Sequence, residues 1–136
     1  MPEHTRSLRV SFGETDAAAI VYYPNYLRWF DQGTHDLFRE LGYSSSRLLR
    51  QGITIAVIEA HARFHASLLF EDEVTLTSRI VEVRNRAFRV DHAVRRGETL
   101  VCEGYEVRMW VRLDSAGGGV RPEALPDDVR AAIAGT

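Results

Sequence analysis

A single cysteine, Cys102, rules out an intrachain disulfide and leaves the redox compartment open. Long hydrophobic runs are missing too. The longest, Ala17 to Tyr23, falls far short of the ~20 residues that span a bilayer. The opening residues, MPEHTRSLRV, carry no apolar stretch of the secretory kind, so a soluble cytoplasmic protein with no membrane partner is expected. Net charge is only −2, from 17 basic and 19 acidic side chains. That gives no general attraction to nucleic acid or anionic lipid, and any phosphate-bearing ligand needs a local basic cluster. The five histidines show no metal-ligand spacing. His61 and His65, four apart on a strand, stand roughly 13 Å from each other. No metal and no cofactor is therefore expected. There is no Gly-x-Ser-x-Gly elbow, which leaves a serine-hydrolase triad unsupported. Cys102 has no identified base beside it and reads as structural.

What remains is 136 residues with 45% apolar content, enough for one core and one domain spanning 1–136. Leu8–Phe12 reads as a first strand. Pro24 to Leu41 carries the strongest helix signal: Tyr26, Phe30, Leu37 and Leu41 recur at helical spacing. Pro24 suits the first helical position, and Gly42 provides the stop. Gly33, in mid-helix, marks close approach of another element. Beyond Gly52 the period changes to two. Thr54–Ala66 has one face of mostly small residues, and Glu59 and His61 lie on the other. Val74, Leu76 and Ile80 alternate before the phase slips to Val81 and Val83, which implies a bulge. Phe88–Val94 and Leu100–Leu113 form a hairpin across Arg96-Gly97-Glu98, with Gly104 the expected bend. Gly117-Gly118-Gly119 reads as a loop and Pro126–Ala134 as a short helix. One strand, one long helix and four consecutive antiparallel strands define an α+β fold, its sheet curled round the helix. The outer face of that sheet carries enough apolar side chains to imply cover by a second subunit.

Asp16 stands between the first strand and the helix, next to the apolar run, where partial desolvation would sharpen its reactivity. The N–H groups around Tyr23 to Tyr26 stand at a helix N-terminus, a natural site for an oxyanion or a phosphate. A carboxylate beside preorganised donors can run acyl transfer. On spacing alone, the alternative is that Asp16 caps a turn and the helix end binds only water. Arg84 and Arg86, with Arg89 beyond, form the densest basic cluster; Arg108 is a weaker candidate. Their alternative role is a solvated, charge-protected hairpin edge.

The run FGETDAAAIVYYPNYLRWFDQG, Phe12 to Gly33, resembles the signature of the 4-hydroxybenzoyl-CoA thioesterase family. The shared pattern is an acidic-x-Asp, a small-residue turn, an aromatic pair, Pro-Asn-Tyr, then Arg-Trp and an acid. Strand order and chain length also resemble that family's hotdog fold, an antiparallel curved sheet around one long helix. The resemblance implies hydrolysis of an acyl-CoA by a homodimer or homotetramer (a dimer of dimers), with active sites between subunits. Asp16 then falls on the catalytic carboxylate, as nucleophile or as general base. Tyr23 falls where a backbone N–H polarises the thioester carbonyl. Asp31 falls on an acid that reaches from the neighbouring subunit to a hydroxyl on the substrate; the alternative is a helix acid paired with Arg28 or His35. Asn25 orders the loop beside the substrate, and Tyr22, Trp29 and Phe30 supply an aromatic pocket. Arg84, Arg86 and Arg108 become the coenzyme A phosphate grip.

The branch acting on short or fatty acyl-CoA carries His in place of Tyr23 and Tyr in place of Phe12. This chain has neither, which favours an aromatic acyl group. Ala18-Ala19 departs from the family's usual glycine-containing turn. A thioesterase acting on chains held by acyl carrier protein, or a non-catalytic acyl-CoA binding module, remains open as an alternative.

Overall fold

The computed structural model describes residues 1–114 and 118–136, so Gly117 of the glycine loop lies outside the described residues. Strand β1 (Glu3–Arg9) is followed by one 3-10 turn (Phe12–Glu14) and the long helix α1 (Pro24–Glu40). A short helix α2 (Ser45–Arg50) leads into β2 (Ile53–Phe64), β3 (Glu73–Val83), β4 (Ala87–Arg96) and β5 (Thr99–Leu113). Strand β6 (Val120–Pro122) and helix α3 (Asp127–Ala134) follow. The antiparallel sheet runs β1-β3-β4-β5-β2, with β6 added on β5, so β2 lies at an edge. Helix α1 packs against all five long strands. A curved antiparallel sheet around one helix is the hotdog arrangement expected from the sequence.

Helix α1 starts at Pro24 and ends at Glu40; Leu41 caps it and Gly42 turns the chain at φ +94°. Its inward stripe holds Tyr26, Trp29, Phe30, Leu37 and Phe38, all buried. Gly33 is required by packing: a Cβ there would sit 2.2 Å from Ser78 Oγ on β3. Its cost in helix propensity, about 1 kcal/mol, is offset by this close seating of helix on sheet. Gly104 on β5 is as tight, since a Cβ would meet the His61 carbonyl oxygen at 1.9 Å. It serves close approach between β5 and β2. The β4–β5 register slips elsewhere, between Val94 and Arg95.

Three elements differ from the sequence reading. Strand β1 begins at Glu3 and ends at Arg9, five residues ahead of the apolar signal at Leu8–Phe12. Seven partners on β3 hold it there, although it alternates only between exposed and half-buried residues. Strand β2 has a bulge between Val57 and Glu59, so its inward set changes from Ile53 and Ile55 to Ala60, Ala62 and Phe64. The slip expected in β3 is present, between Ile80 and Glu82.

The third difference concerns the core. One apolar cluster centres on Leu37, Phe38, Ile80, Phe88, Val90 and Trp110. A second centres on Tyr26, Trp29, Phe30, Leu76, Val94 and Cys102. Between them runs a band of polar side chains. On α1 it is Thr34, on β3 Ser78, on β4 His92, and on β5 Glu106 with Arg108, all buried. The less apolar side of β5 therefore faces the helix. On the outer face, arginines of β2, β3 and β4 gather around one hollow, while Val107, Met109 and Val111 of β5 share that face between β4 and β2. That face is thus more charged than expected.

Candidate active site

Residues Glu14 to Tyr22 fold into a short hairpin. The Tyr22 N–H donates to the Glu14 carbonyl at 2.8 Å, Thr15 bridges Val21, and the Asp16 N–H donates to the Ile20 carbonyl at 3.0 Å. At the tip Ala19 takes φ +66°, the left-handed region a glycine would occupy without strain. The Ala18 N–H donates to Asp16 Oδ1 at 2.9 Å, and Oδ2 has no hydrogen-bond partner among the described residues. One carboxylate oxygen is thus anchored and the other free.

Glu14 fastens this hairpin to α1. Its Oε2 accepts the Trp29 indole N–H at 2.9 Å, and its Oε1 accepts the Ser11 N–H at 2.8 Å. Its carbonyl also accepts the Asn25 side-chain amide at 2.8 Å. Asn25 is buried and orders the loop through this bond. The sequence offered one clue to Glu14, the acid two residues before Asp16, but nothing marked it as the hub.

At the helix tip, Pro24 has no N–H, while those of Asn25 and Tyr26 turn back onto the carbonyls of Tyr22 and Tyr23 at 3.0 and 3.2 Å. The Tyr23 N–H has no acceptor among the described residues. Asp16 pairs with Ile20, three residues before Tyr23, so hairpin arm and helix tip stand roughly 10 Å apart along the backbone.

Other expected features are absent from the single chain. Asp16 and Ala17 to Ala19 are exposed, because they lie at the hairpin tip. Trp29 and Phe30 are core residues, 2% and 0% exposed, with Phe30 stacked on His92 at 4.6 Å. Tyr22 and Tyr23 are the aromatic residues that reach the surface here, 50% and 60% exposed, their rings edge to face. A cavity of 720 Å³ lies instead on the outer sheet face, lined by Arg63, Arg79, Arg89, Arg95, His61 and Tyr105 among others. Neither Asp16 nor Tyr23 reaches it. Glu59 and His61 also face outward, the first accepting the Tyr105 hydroxyl and the second stacked on its ring.

Asp31 is the exposed end of the buried polar band. Its Oδ1 accepts Arg108 Nη2 at 2.7 Å and lies 3.3 Å from His35 Nε2, one helical turn on. The His35 hydrogen bond lowers the Asp31 carboxyl; partial burial opposes this, and Arg108 then adds to the lowering. The net position is well below the usual carboxylate range. Arg108 cannot grip a phosphate as expected, for it is 2% exposed and its donors are engaged. They reach Asp31, both oxygens of Glu106 and the Ile55 carbonyl. Burial would raise the Glu106 carboxyl, but His92 and Arg108 outweigh it and hold it at about 2. Thr34 donates to Glu106 at 2.5 Å, and Ser78 meets His92 Nδ1 at 2.8 Å.

Arg84 and Arg86 occupy the β3–β4 turn, both exposed. Arg84 pairs with Glu82 at 2.9 Å, while Arg86 has no ion-pair partner among the described residues. Bonds from Leu125 N–H and Arg130 to the Asn85 carbonyl hold the turn. Val83, just before it, packs on the Leu37–Phe38 end of the core, whereas Val21 and Tyr26 belong to the opposite end. In one chain, Asp16 and the arginine turn therefore lie at opposite ends of a helix about 25 Å long.

A curved antiparallel sheet around one long helix defines the hotdog fold. The thioesterase-like superfamily matches residues 10–133. The 4-hydroxybenzoyl-CoA thioesterase of Pseudomonas sp. (strain CBS-3) is 30% identical over 129 residues, covering 93% of this chain and 86% of that protein. Its solved structure superposes with a TM-score of 0.86, at 28% identity over 97% of this chain and 99% of that one. A gentisyl-coenzyme A thioesterase structure gives 0.84 at 35% identity, covering 96% and 99%. An acyl-CoA thioesterase of Haemophilus influenzae is 23% identical over 93% of this chain and 90% of that protein. The chain belongs to the thioesterase-like superfamily and, within it, to the 4-hydroxybenzoyl-CoA thioesterase family. Its activity class is that of an acyl-CoA thioester hydrolase.

Proposed function

We propose that this enzyme hydrolyses a hydroxylated aromatic acyl-CoA, with Asp16 as the catalytic carboxylate and the Tyr23 N–H as the carbonyl-polarising donor. The observation that carries the reading is the hairpin, which ties an acid with one free oxygen to a helix tip with one free amide. The thioester carbonyl accepts from the Tyr23 N–H as negative charge develops on its oxygen. Asp16 either attacks the carbonyl carbon or takes a proton from the water that does. The C–S bond breaks and the coenzyme A sulfur takes up a proton; on the route where Asp16 attacks, water then cleaves the mixed anhydride, freeing the acid and restoring the carboxylate. Two of the relatives above are named for hydroxylated aromatic thioesters, which supports the aromatic acyl group.

The working unit in this reading is at least a homodimer, with the tetramer a pair of such dimers. Support comes from β2, an edge strand that leaves Val57, Ile58 and Phe64 about half exposed. Two copies of β2 paired antiparallel would bring the partner's arginine turn over this chain's Asp16. That would unite the acid with a phosphate grip made of Arg84 and Arg86, and close an acyl hollow that one chain leaves open. The cytoplasmic location expected from the sequence belongs to the same reading.

The test is Asp16→Asn. Folding and acyl-CoA binding persist and turnover falls at least ~100-fold, the scale of a lost positioned base or nucleophile. Turnover at the wild-type rate sinks the assignment. Rates on benzoyl-CoA, 4-hydroxybenzoyl-CoA, short and long acyl-CoA, and an acyl carrier protein thioester settle the acyl group and carrier.

A further inference from the structure

Asp31 carries two oxygens in unlike circumstances. Oδ1 meets both Arg108 and His35, while Oδ2 has no hydrogen-bond partner among the described residues. The side chain is 51% exposed, so the free oxygen borders solvent while the other is fixed from beneath. What fixes it is itself immobilised. Arg108 is anchored by Glu106 and by the Ile55 carbonyl on the neighbouring strand. Glu106 in turn accepts from Thr34 on α1, one turn from Asp31, and faces His92 at 3.2 Å. This chain of contacts runs from β2 through β5 and β4 back to α1.

We propose that Arg108 and His35 are positioning residues that aim Asp31 Oδ2 at a hydroxyl on the acyl group, and so set the preference for hydroxylated thioesters. The proposal rests on the reading of Asp31 as the acid that meets the substrate. A carboxylate hinged only at its own rotatable bonds would swing among several orientations. Clamping one oxygen from two sides leaves the second a fixed acceptor, and less ordering is then needed when the substrate arrives. The clamp also keeps the group ionised, which suits an acceptor of a hydroxyl proton and repels a carboxylate or other anion in the same place. Buried ionic groups are costly unless fully paired, and well-packed apolar side chains replacing the whole group are often as stable, although removing one member alone destabilises. Its retention among otherwise apolar clusters is explained if the exposed acid at its end has a task.

The experiment compares kcat/KM for 4-hydroxybenzoyl-CoA with that for benzoyl-CoA in the full-length enzyme and in Asp31→Asn, Arg108→Lys and His35→Gln. Arg108→Lys keeps a cation beside Glu106 but loses the planar fork that reaches Asp31 at the same time. His35 is partly exposed and its Nδ1 has no hydrogen-bond partner among the described residues, so His35→Gln breaks little besides the contact with Asp31. The ratio is expected to fall roughly tenfold in Asp31→Asn, the scale of one hydrogen bond to a charged group. Arg108→Lys and His35→Gln each lower it several-fold, with the loss carried mainly by KM for the hydroxylated substrate. A merely structural lesion would depress both substrates together and leave the ratio alone. If Asp31→Asn lowers the ratio and the other two do not, the positioning proposal is overturned and the Asp31 reading stands. If Asp31→Asn leaves the ratio unchanged, or the parent enzyme does not distinguish the two thioesters, both fall. Should Arg108→Lys fail to fold, His35→Gln decides alone.

Discussion

The Trp29 indole donates to the Glu14 carboxylate at 2.9 Å, joining α1 to the loop that carries Asp16. Glu14 gives its second oxygen to the Ser11 N–H, so one side chain ties the entrance of the loop to the helix. Glu14→Ala is expected to cost about 1–3 kcal/mol of stability, because it strips a partner from a buried indole. Turnover should fall at least ~10-fold with KM little changed, and Glu14→Gln should lie between. Thermal unfolding and steady-state kinetics check this; a fully active Glu14→Ala enzyme would remove the loop from the argument.

Arg84 shares its charge with Glu82 while Arg86 has no ion-pair partner among the described residues, so the two should contribute unequally to coenzyme A binding. The double change to alanine is expected to raise KM for CoA thioesters about tenfold or more, with Arg86→Ala giving the larger share. For a thioester lacking the nucleotide, KM should move less than about twofold. Equal effects on both substrates would mark these arginines as structural.

Acid stability follows from Glu106. Its carboxyl stands at about 2 in the folded protein, below its ordinary value of 4.5, so the unfolded chain takes up a proton first as pH falls. The stabilisation is complete above about pH 5 and is lost as pH drops toward 2, to an extent of roughly 3 kcal/mol. Asp31, also held low, acts in the same direction. Urea midpoints should decline steadily between pH 5 and 2, and Glu106→Gln should flatten that decline while lowering stability at pH 7. A variant with an unaltered acid limb would contradict the pairing of Glu106 with His92 and Arg108.

Ala19 holds φ +66° at the hairpin tip. Because an L side chain is strained there, Ala19→Gly is expected to raise stability by up to about 1 kcal/mol, against the usual direction of an alanine-to-glycine change. Denaturant midpoints give the measurement. A loss of about 1 kcal/mol would mean the turn is not left-handed in solution.

The long helix was legible because Tyr26, Phe30 and Leu37 repeat at its period and Pro24 and Gly42 mark its ends. Gly33 was legible for the reason it is costly: a glycine in a helix interior needs a neighbour to justify it. The polar band was not. Alternation tells which residues share a strand face, but not which face turns inward, and Glu106 and Arg108 look like solvent-facing residues. Arg108 therefore reads as a phosphate ligand, whereas its donors are spent within the core. The β2 bulge escaped notice since Val57 and Ile58 are both apolar and hide the slip. Asp16 stands out in the sequence through the pattern around it, whereas its hairpin depends on pairing between Glu14 and Tyr22 that no local propensity announces.

Cys102 has no exposed surface, and burial above all, with Glu103 adding, pushes its thiol up to about 12. At neutral pH that sulfur is neither ionised nor reachable, and the chain has no second one. The protein thus carries its own tell-tale: a thiol-reactive dye can mark a molecule only while its sheet has parted from the helix. The speed of labelling then counts those excursions, with no engineered probe.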